Sequence, residues 1–212
     1  MDLSDFRKQY TKGQLLESEV PCNPFELFGN WFDEVQSYAK ELETNAMTLS
    51  THLISGGIKS RVVLLKEVRD DGFVFYTNYN SVKAQSIEND NRVCLSFFWQ
   101  SMERQVIIQG NARKLSAKDS DQYFNSRPRG SQLGAHVSNQ STKIEDRTTL
   151  ESKLAVLESQ YKGRPVPRPT HWGGYVVTPS AIEFWQGRAN RLHDRLKYTR
   201  VSSAWTITRL SP

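Results

Sequence analysis

Short apolar runs separated by tight turns fill the middle of this chain and limit its fold more than any other feature. The runs lie at 61–66, 73–76, 93–99 and 105–110, and their β-branched and aromatic residues favour strands. Asp70, Asp71 and Gly72 form a hairpin turn between the first two runs. Strands at this spacing predict a mainly antiparallel barrel, since the order lacks the βαβ alternation of a dinucleotide-binding fold.

Helices are predicted at the periphery of this barrel. The first begins at Pro24, because Asn23 can cap it and Glu26 stands where a capping box has its acid; apolar residues then recur with a helical period from Phe28 to Leu42. Further helices are predicted at 81–90, 117–127 and 145–161, and further strands near 173–178, 181–186, 195–200 and 204–210. The expected class is α+β, mainly antiparallel, with a mobile N-terminal arm at 1–22 and a single domain at 23–212.

The net charge of +5, from 28 basic and 23 acidic residues, predicts an anionic partner. The basic residues are spread along the chain rather than gathered in a tract, which favours phosphorylated small molecules over nucleic acid. No apolar run approaches the ~20 residues that span a bilayer, and the polar, acidic start of the chain is unlike a signal peptide. The expected location is the cytoplasm, with no membrane partner.

Several common catalytic signatures are missing from the sequence. No glycine-rich nucleotide loop occurs, and the stretch from Gly130 to Gly134 has the wrong spacing for a nucleophile elbow. The four histidines stand far apart without paired ligand spacing, so no metal site is expected. The remaining chemistry lies in four clusters that combine cations with hydroxyls, amides or aromatic rings.

The first cluster is the strand that starts at Arg61 and ends at Lys66. The two positions differ by an odd number, which places their side chains on opposite faces of a regular strand. They could therefore serve two different ligands, although two solvated strand ends would give the same pattern.

The second cluster joins Tyr76, Thr77 and Asn78 to Ser81 and Lys83. Hydroxyls and an ammonium at a strand end, just before a helix, are typical of a phosphate site. An ordinary polar turn is the alternative interpretation.

The third cluster lies at 123–131. On a helix, Tyr123 and Arg127 share a face because they are four residues apart, and Ser131 follows a Pro-Arg-Gly break. A phenol, a guanidinium and a hydroxyl could converge on one phosphate here, although an arginine-rich helix end would also explain the pattern.

The fourth cluster, residues 182–195, holds three arginines, one histidine, two acids and a tryptophan within fourteen residues. Core packing does not account for such a density of charge, which leaves a surface loop as the alternative to a site. In an extended segment Arg191 and His193 face the same way, because they are two residues apart. A planar cation beside an imidazole would fit an aromatic anion.

With these clusters in this order, the chain closely resembles the pyridoxine/pyridoxamine 5'-phosphate oxidase family. Segments 182–186 and 191–195 are similar to the family's signature at every defined position and spacing. Other matching segments are 61–66, 76–77, Lys83, 104–106, 127–128, 140–141, 172–174 and 205–212. The resemblance covers nearly the whole chain, roughly from Arg7 to its end.

The resemblance implies a dimeric split β-barrel with FMN at the subunit interface. The residues that would hold FMN are Arg61, Lys66, Tyr76, Thr77, Lys83, Gln105, Gln140, Ser141, Trp185 and Arg195. Those that would bind the substrate phosphate are Lys66, Tyr123, Arg127 and Ser131. Arg191 and His193 would be catalytic, over the substrate ring, and Arg7 and Tyr10 would belong to a lid formed by the N-terminal arm.

The reaction implied by the resemblance is the oxidation of pyridoxine 5'-phosphate or pyridoxamine 5'-phosphate to pyridoxal 5'-phosphate. The C4' carbon would give a hydride to the flavin, and O2 would reoxidise the flavin with release of H2O2. For the protein this is mainly a positioning task.

Two positions depart from the family pattern. At Val82 the family often has a second basic residue, so weaker FMN binding is expected here. Glu43 stands where some members have aspartate, and it is left out of the predicted site.

Three other functions compete with this interpretation. A different split-barrel flavoprotein, such as a flavin reductase, would lack the phosphate and ring clusters that this chain has. A carrier that binds flavin or pyridoxal phosphate without turnover would use the same residues as the enzyme. A nucleic-acid-binding module is the last alternative.

Overall fold

The computed structural model describes residues 1–5, 8–39 and 43–212. Nine strands form one antiparallel sheet: β1 (Ala46–His52), β2 (Ile58–Leu64), β3 (Glu67–Arg69), β4 (Gly72–Asn78), β5 (Arg92–Trp99), β6 (Arg104–Lys114), β7 (Trp172–Gln186), β8 (Asp194–Val201) and β9 (Ala204–Arg209). Five α-helices accompany the sheet: α1 (Pro24–Glu34), α2 (Val82–Asn89), α3 (Ala117–Ser126), α4 (Arg129–Val137) and α5 (Thr148–Gln160). A π-helical segment, Val35–Ala39, follows α1 directly.

The connection between β2 and β3 makes the sheet curl. The strand order is β2-β1-β5-β6-β7-β4-β3, with β8 and β9 added alongside β7. β2 and β3 therefore lie at opposite ends of the sheet, yet only Leu65 and Lys66 separate them, a link that spans at most about 11 Å. The Leu65 N–H donates to Asn45 O on one edge (2.8 Å), and the Lys66 N–H donates to Val74 O on the other (2.8 Å). The two edges are thus held side by side, which gives a barrel with a seam.

Aromatic side chains fill the interior of this barrel. Phe28 of α1 meets Phe73 of β4 and Phe97 of β5 edge to face, at centroid distances of 5.0 and 5.2 Å. All three are buried. α1 also places Trp31 against Phe184 of β7, with 5.2 Å between the ring centroids. The first helix is thereby fixed on the barrel by its apolar face, as its 3.6-residue period predicts.

The fold class predicted from the sequence is confirmed, and so are most of its elements. α1 begins at Pro24 with the Asn23 side chain accepting from the Phe25 N–H, as a capping residue does. The helices predicted at 81–90, 117–127 and 145–161 correspond to α2, α3 and α5. The last part of the predicted first helix, 40–42, lies outside the described residues. The division into a mobile arm and one domain stays a prediction.

Three elements differ from the prediction. β1 was not predicted, because its buried apolar residues Met47 and Leu49 are neither β-branched nor aromatic, although they alternate with less buried residues as in a strand. α4 was not predicted either, since two glycines and a preceding proline hide its helical period. The strands predicted near 173–178 and 181–186 are one strand, β7, in which Pro179 sits at a register shift opposite Gly110. A bulge of this kind tolerates a proline inside a strand.

Among the described residues, no helix is both long enough and apolar enough to cross a membrane.

We expect Gly110→Ala to destabilise the protein by about 1–3 kcal/mol. A Cβ at Gly110 would overlap the backbone carbonyl oxygen of Thr178, which cannot move without breaking the β6–β7 ladder. The matched control is Gly29→Ala in α1, where nothing lies within 4 Å of the new Cβ; it should stabilise by about 0.5–1 kcal/mol. Urea unfolding of both variants measures the difference, and equal stabilities would contradict the close approach.

Candidate functional site

The largest cluster of predicted site residues lines a cavity of about 610 Å³, which we call the seam cavity. This volume lies within the range of small-molecule sites. Nine predicted residues line it: Arg61, Lys66, Tyr76, Thr77, Lys83, Tyr123, Arg127, Ser131 and Gln140. The described residues around it include four cations and no carboxylate. The cavity therefore favours an anionic ligand.

At one part of the seam cavity, Arg61 is fixed by the barrel wall. Its Nη1 donates to Leu49 O (3.1 Å) and to Thr51 Oγ1 (2.9 Å). Its Nη2 is buried without a partner among the described residues. Burial lowers the pKa of the Arg61 guanidinium, but an arginine stays charged at any ordinary pH. A buried cationic donor without an acceptor costs free energy that an anion would recover.

Lys83 lies beside Arg61, and its ammonium has a lowered pKa. Its Nζ donates to Gln140 Oε1 (2.6 Å), Thr77 Oγ1 (3.1 Å) and Ser81 Oγ (3.2 Å). Burial, followed by the positive charges of Arg61 and Lys59, lowers the pKa of Lys83 to about 8. All three acceptors are neutral, and no carboxylate in the described part of the chain contacts this ammonium.

A second cationic group lies around Arg127 in the same cavity. The Arg127 guanidinium stacks over the Trp172 ring at 4.5 Å, and its Nη1 is buried without a partner in the described part of the chain. Tyr123 stacks on Tyr76 with 3.8 Å between centroids. Burial lowers the pKa of Arg127 and raises that of Tyr123, so the phenol keeps its proton and can donate it to an acceptor.

A separate cavity of about 490 Å³, which we call the arm cavity, lies under the N-terminal segment. It is lined by Lys8, Gln9, Tyr10, Arg188, Asn190, Arg191 and His193. The predicted catalytic pair, Arg191 and His193, thus meets the predicted lid residue Tyr10. Arg7 lies outside the described residues, so its predicted role in the lid stays a prediction.

The orientation of His193 is set by a backbone donor. The Arg188 N–H donates to His193 Nδ1 (3.0 Å), which fixes the neutral ring as the tautomer with its proton on Nε2. Trp185 packs against the imidazole with 4.7 Å between centroids, and Tyr10 lies 5.8 Å away on the same measure. The ring therefore offers one N–H donor, at Nε2.

The remaining residues that the resemblance assigns to FMN form a row on the outside of the barrel. Gln105 of β6 pairs with Trp185 of β7, which pairs with Arg195 of β8. Residues directly opposite one another in neighbouring strands point to the same face, and the buried neighbours Val106 and Phe184 point inward. Glu183 accepts from Arg195 Nε (2.8 Å) and aligns the guanidinium along this row.

Two geometric arguments from the sequence are wrong. β2 ends at Leu64, so Lys66 is not in the same strand as Arg61, and both side chains line the seam cavity rather than opposite faces. Arg191 and His193 do not belong to an extended segment: Asn190 and Arg191 have φ values of 57° and 61° at a short helical turn. Arg191 and His193 nevertheless line one cavity.

The predicted residues therefore fall into two groups. The seam cavity collects the phosphate clusters from β2, β4, α2, α3 and α4, and Ser141 borders them by accepting from the Val82 N–H (3.4 Å). The outer row collects aromatic and charged residues from β6, β7 and β8, and the arm cavity collects the predicted catalytic pair from the link between β7 and β8, together with Tyr10 of the N-terminal segment. The described linings of the two cavities share no residue. Within one chain, the residues of each group therefore lie together, but the two groups lie at separate places.

Lys59 was missed by sequence reasoning. It lies two residues before Arg61 in β2, opposite Thr51 in β1, and its charge contributes to the lowered pKa of Lys83. The period of two in a strand would have placed Lys59 on the same face as Arg61. A third cation thus stands near the position where Val82 lacks one.

Solved structures of similar shape define the class of fold. PhzG from Burkholderia lata, solved in complex with tetrahydrophenazine-1-carboxylic acid, aligns with a TM-score of 0.87 and 29% identity, over 93% of this chain and 98% of that one. A pyridoxamine 5'-phosphate oxidase-related, FMN-binding protein from Nostoc punctiforme aligns with a TM-score of 0.69 at 15% identity, over 91% and 100%. The chain has the split-barrel fold of these proteins.

Sequence comparisons identify the family. Residues 33–161 match the family model of pyridoxamine 5'-phosphate oxidase, and residues 172–212 match the pyridoxine 5'-phosphate oxidase C-terminal dimerisation region. The pyridoxine/pyridoxamine 5'-phosphate oxidase of Flavobacterium johnsoniae is 57% identical over 99% of both chains. The protein of the same name from a Cyanothece strain is 50% identical over 100% of this chain and 99% of its own. The chain belongs to the pyridoxine/pyridoxamine 5'-phosphate oxidase family.

We expect anion binding in the seam cavity to weaken as the pH rises through the pKa of Lys83, about 8. Below that pH the ammonium is charged and attracts an anion, and above it the amine is neutral. Sulfate keeps its charge throughout, so its affinity for protein freed of small ligands should fall about tenfold between pH 7 and pH 9. Calorimetric titration measures this change.

The matched variants are Lys83→Gln, which should bind sulfate weakly and with little pH dependence, and Lys153→Gln on the exposed face of α5, which should behave like the wild type. A wild-type affinity that is constant over this range would contradict the assignment.

Proposed function

We propose that this protein is an FMN-dependent oxidase that converts pyridoxine 5'-phosphate or pyridoxamine 5'-phosphate to pyridoxal 5'-phosphate. O2 is the electron acceptor, H2O2 is released, and the active form is a homodimer with FMN at the interface. The alcohol reaction balances as R–CH2OH + O2 → R–CHO + H2O2. The amine reaction also consumes one water and releases ammonia.

The observation that carries this proposal is the pair of unpartnered guanidinium nitrogens in the seam cavity. Arg61 Nη2 and Arg127 Nη1 are both buried, and neither has an acceptor among the described residues. Each belongs to a separate cationic group in one cavity. Two such groups fit two phosphates, and the proposed reaction has two: one on the cofactor and one on the substrate.

The residues around Arg61 fit the FMN phosphate. Arg61, Lys83 and Ser141 supply a guanidinium, an ammonium and a hydroxyl, and Thr77 and Gln140 already hydrogen-bond Lys83 in place. Lys66, Tyr123, Arg127 and Ser131 then remain for the substrate phosphate. A phosphate anchored at a distance from the reacting carbon provides binding energy that can orient the ring.

A homodimer would unite the two groups of residues. The dimerisation region of the family model, 172–212, contains Trp185, Arg191, His193 and Arg195. These residues lie on the outer row and in the arm cavity, away from the cationic groups that line the seam cavity of the same chain. In the proposed dimer, one protomer's row of Gln105, Trp185 and Arg195 would complete the seam cavity of its partner.

The protein's part in the chemistry is to hold the substrate ring and its charge. Bound FMN would supply the redox chemistry, as the hydride acceptor for the C4' carbon and the route for the electrons to O2. With Nδ1 accepting from the Arg188 N–H, His193 Nε2–H is the ring's donor, so it can hold an oxygen substituent of the substrate's pyridine ring. The Arg191 guanidinium adds positive charge beside it, which would stabilise the oxygen of the C4' alcohol as that oxygen loses its proton. Tyr10 lies beside the His193 ring, with 5.8 Å between centroids, and lines the same cavity as Arg191.

The direct test is a visible spectrum under anaerobic conditions. Pyridoxine 5'-phosphate or pyridoxamine 5'-phosphate should bleach the flavin absorbance of the holoprotein in a single turnover, and air should restore it with one H2O2 per flavin. Pyridoxine without the phosphate is the matched control, and it should bleach far more slowly because it lacks the anchor. A flavin-loaded protein that neither phosphorylated substrate bleaches would be a carrier and would refute the enzyme.

Two arginines of residues 182–195 should separate catalysis from cofactor binding. Arg191→Ala should lower kcat by about 100-fold or more, because it removes charge beside the reacting ring, while the FMN content stays at the wild-type level. Arg195→Ala should instead release FMN on dialysis, since Arg195 belongs to the outer row with Trp185. Measured kcat and flavin content decide the matter: equal losses of both in Arg191→Ala, or full flavin in Arg195→Ala, would contradict these roles.

A further inference from the structure

Glu103 occupies a position that is unfavourable for a glutamate. It ends the short helical turn Gln100–Met102 between β5 and β6, with a φ of 55° in the left-handed region that favours glycine. Its residue surface is only 2% exposed. A carboxylate in a dry, conformationally strained position costs free energy unless strong partners offset it.

Those partners come from the N-terminal arm. Glu103 Oε2 accepts from the backbone N–H groups of Thr11 (2.8 Å) and Lys12 (3.1 Å), and Lys8 Nζ lies 3.7 Å from Oε1. No donor from the barrel contacts this carboxylate among the described residues. Glu103 is itself held on the barrel, because its backbone carbonyl accepts from the Gly187 N–H just after β7 (2.7 Å).

These hydrogen bonds set the position of Tyr10, the residue next to Thr11. The Tyr10 ring lies edge-on to Trp185 at 5.7 Å between centroids and over His193 at 5.8 Å. It also lies so close to Gly187 that a Cβ there would come within 2.7 Å of the ring. The carboxylate of Glu103 thus fixes the arm at the point where an aromatic ring covers the arm cavity.

The far end of the arm has its own anchor, independent of Glu103. Leu15 is 3% exposed, and its N–H donates to Asp194 Oδ2 (3.1 Å). Arg209 binds both carboxylate oxygens of Glu17, at 2.7 and 2.6 Å, and Asp194 Oδ1 at 2.8 Å. Loss of the Glu103 contact would leave residues 8–12 held only by the Lys12 ammonium on Ser101 O (2.5 Å) and by the packing of Tyr10 on Trp185, with the rest of the arm in place.

We propose that Glu103 is a positioning residue that docks the N-terminal arm, so that Tyr10 closes the arm cavity over Arg191 and His193. Charge-assisted hydrogen bonds to backbone N–H groups hold the closed arm firmly, while water can replace them when it opens. The contact is thus reversible. Its effect on substrate binding rests on the proposed function, whereas the docking itself does not.

Trypsin tests the docking on the FMN-loaded full chain, because cleavage after Lys12 requires the arm to leave the barrel. In Glu103→Ala, cleavage after Lys12 should be about tenfold faster or more, since both N–H groups lose their acceptor. Glu103→Gln keeps an oxygen that can accept both N–H groups and should stay close to the wild type. Glu158→Ala on the exposed face of α5 is the control for loss of one negative charge.

Steady-state kinetics test the positioning role with pyridoxine 5'-phosphate. Glu103→Ala should raise KM more than it lowers kcat, with wild-type flavin content, and Glu103→Gln should rescue most of the loss. Thr11→Pro removes one donor from the exposed arm without touching the barrel and should raise both the cleavage rate and KM. If Glu103→Ala does not fold, the cleavage rate and KM of Thr11→Pro test the proposal in its place.

Unchanged cleavage in both Glu103→Ala and Thr11→Pro would overturn the docking. Faster cleavage with unchanged KM would overturn the positioning role. A wild-type protein that turns over neither substrate would instead refute the proposed function, and the cleavage rates would still decide the docking.

Discussion

The two-residue link between β2 and β3 is the constraint on which the rest of the structure depends. Leu65 bonds to the β1 edge and Lys66 to β4, so the sheet must curl until its ends meet. Arg61 and Thr77 come from strands near opposite ends of the sheet, yet they line the same cavity because of this closure. A flat sheet with the same pairings would hold these residues several strands apart. The seam of the barrel is thus also the place where a ligand site can form.

The cations of the seam cavity are held in place before any ligand arrives. Thr51 and Leu49 O orient Arg61, Gln140 and Thr77 orient Lys83, and Trp172 supports Arg127. Burial of Lys83, and after it the like charges of Arg61 and Lys59, lowers the pKa of Lys83, so holding this ammonium in the cavity opposes folding. An anion that binds only the folded protein removes that cost and stabilises the fold in proportion to its affinity. The free energy lost by holding these charges in the empty cavity is recovered when an anion binds, and it therefore contributes to ligand affinity.

Local patterns in the sequence were enough for the barrel class and the start of α1, and they picked out residues that the fold brings together in the seam cavity, although the phosphate role of these residues stays a prediction. The sequence was not enough where an inference depended on the backbone conformation between two residues. The parity argument for Arg61 and Lys66 assumed one strand, but the chain leaves β2 after Leu64. Glu103 gave no signal in sequence, because its partners are backbone groups 91 and 92 residues away. A contact between a side chain and a distant backbone leaves no residue type to detect.

The division of the predicted site between two surfaces links cofactor binding to assembly. The register of β6, β7 and β8 fixes Gln105, Trp185 and Arg195 on the outer face, and no local movement could turn them into the seam cavity of their own chain. In the proposed dimer, FMN touches both protomers, so its binding free energy also stabilises the interface, and the interface in turn strengthens FMN binding. A weaker phosphate contact at Val82 would then be offset in two ways: by the nearby charge of Lys59 and by the stability of the dimer itself. In the proposed dimer, affinity for the cofactor would thus be a property of the assembly, set by both protomers and not only by the phosphate ligands of one chain.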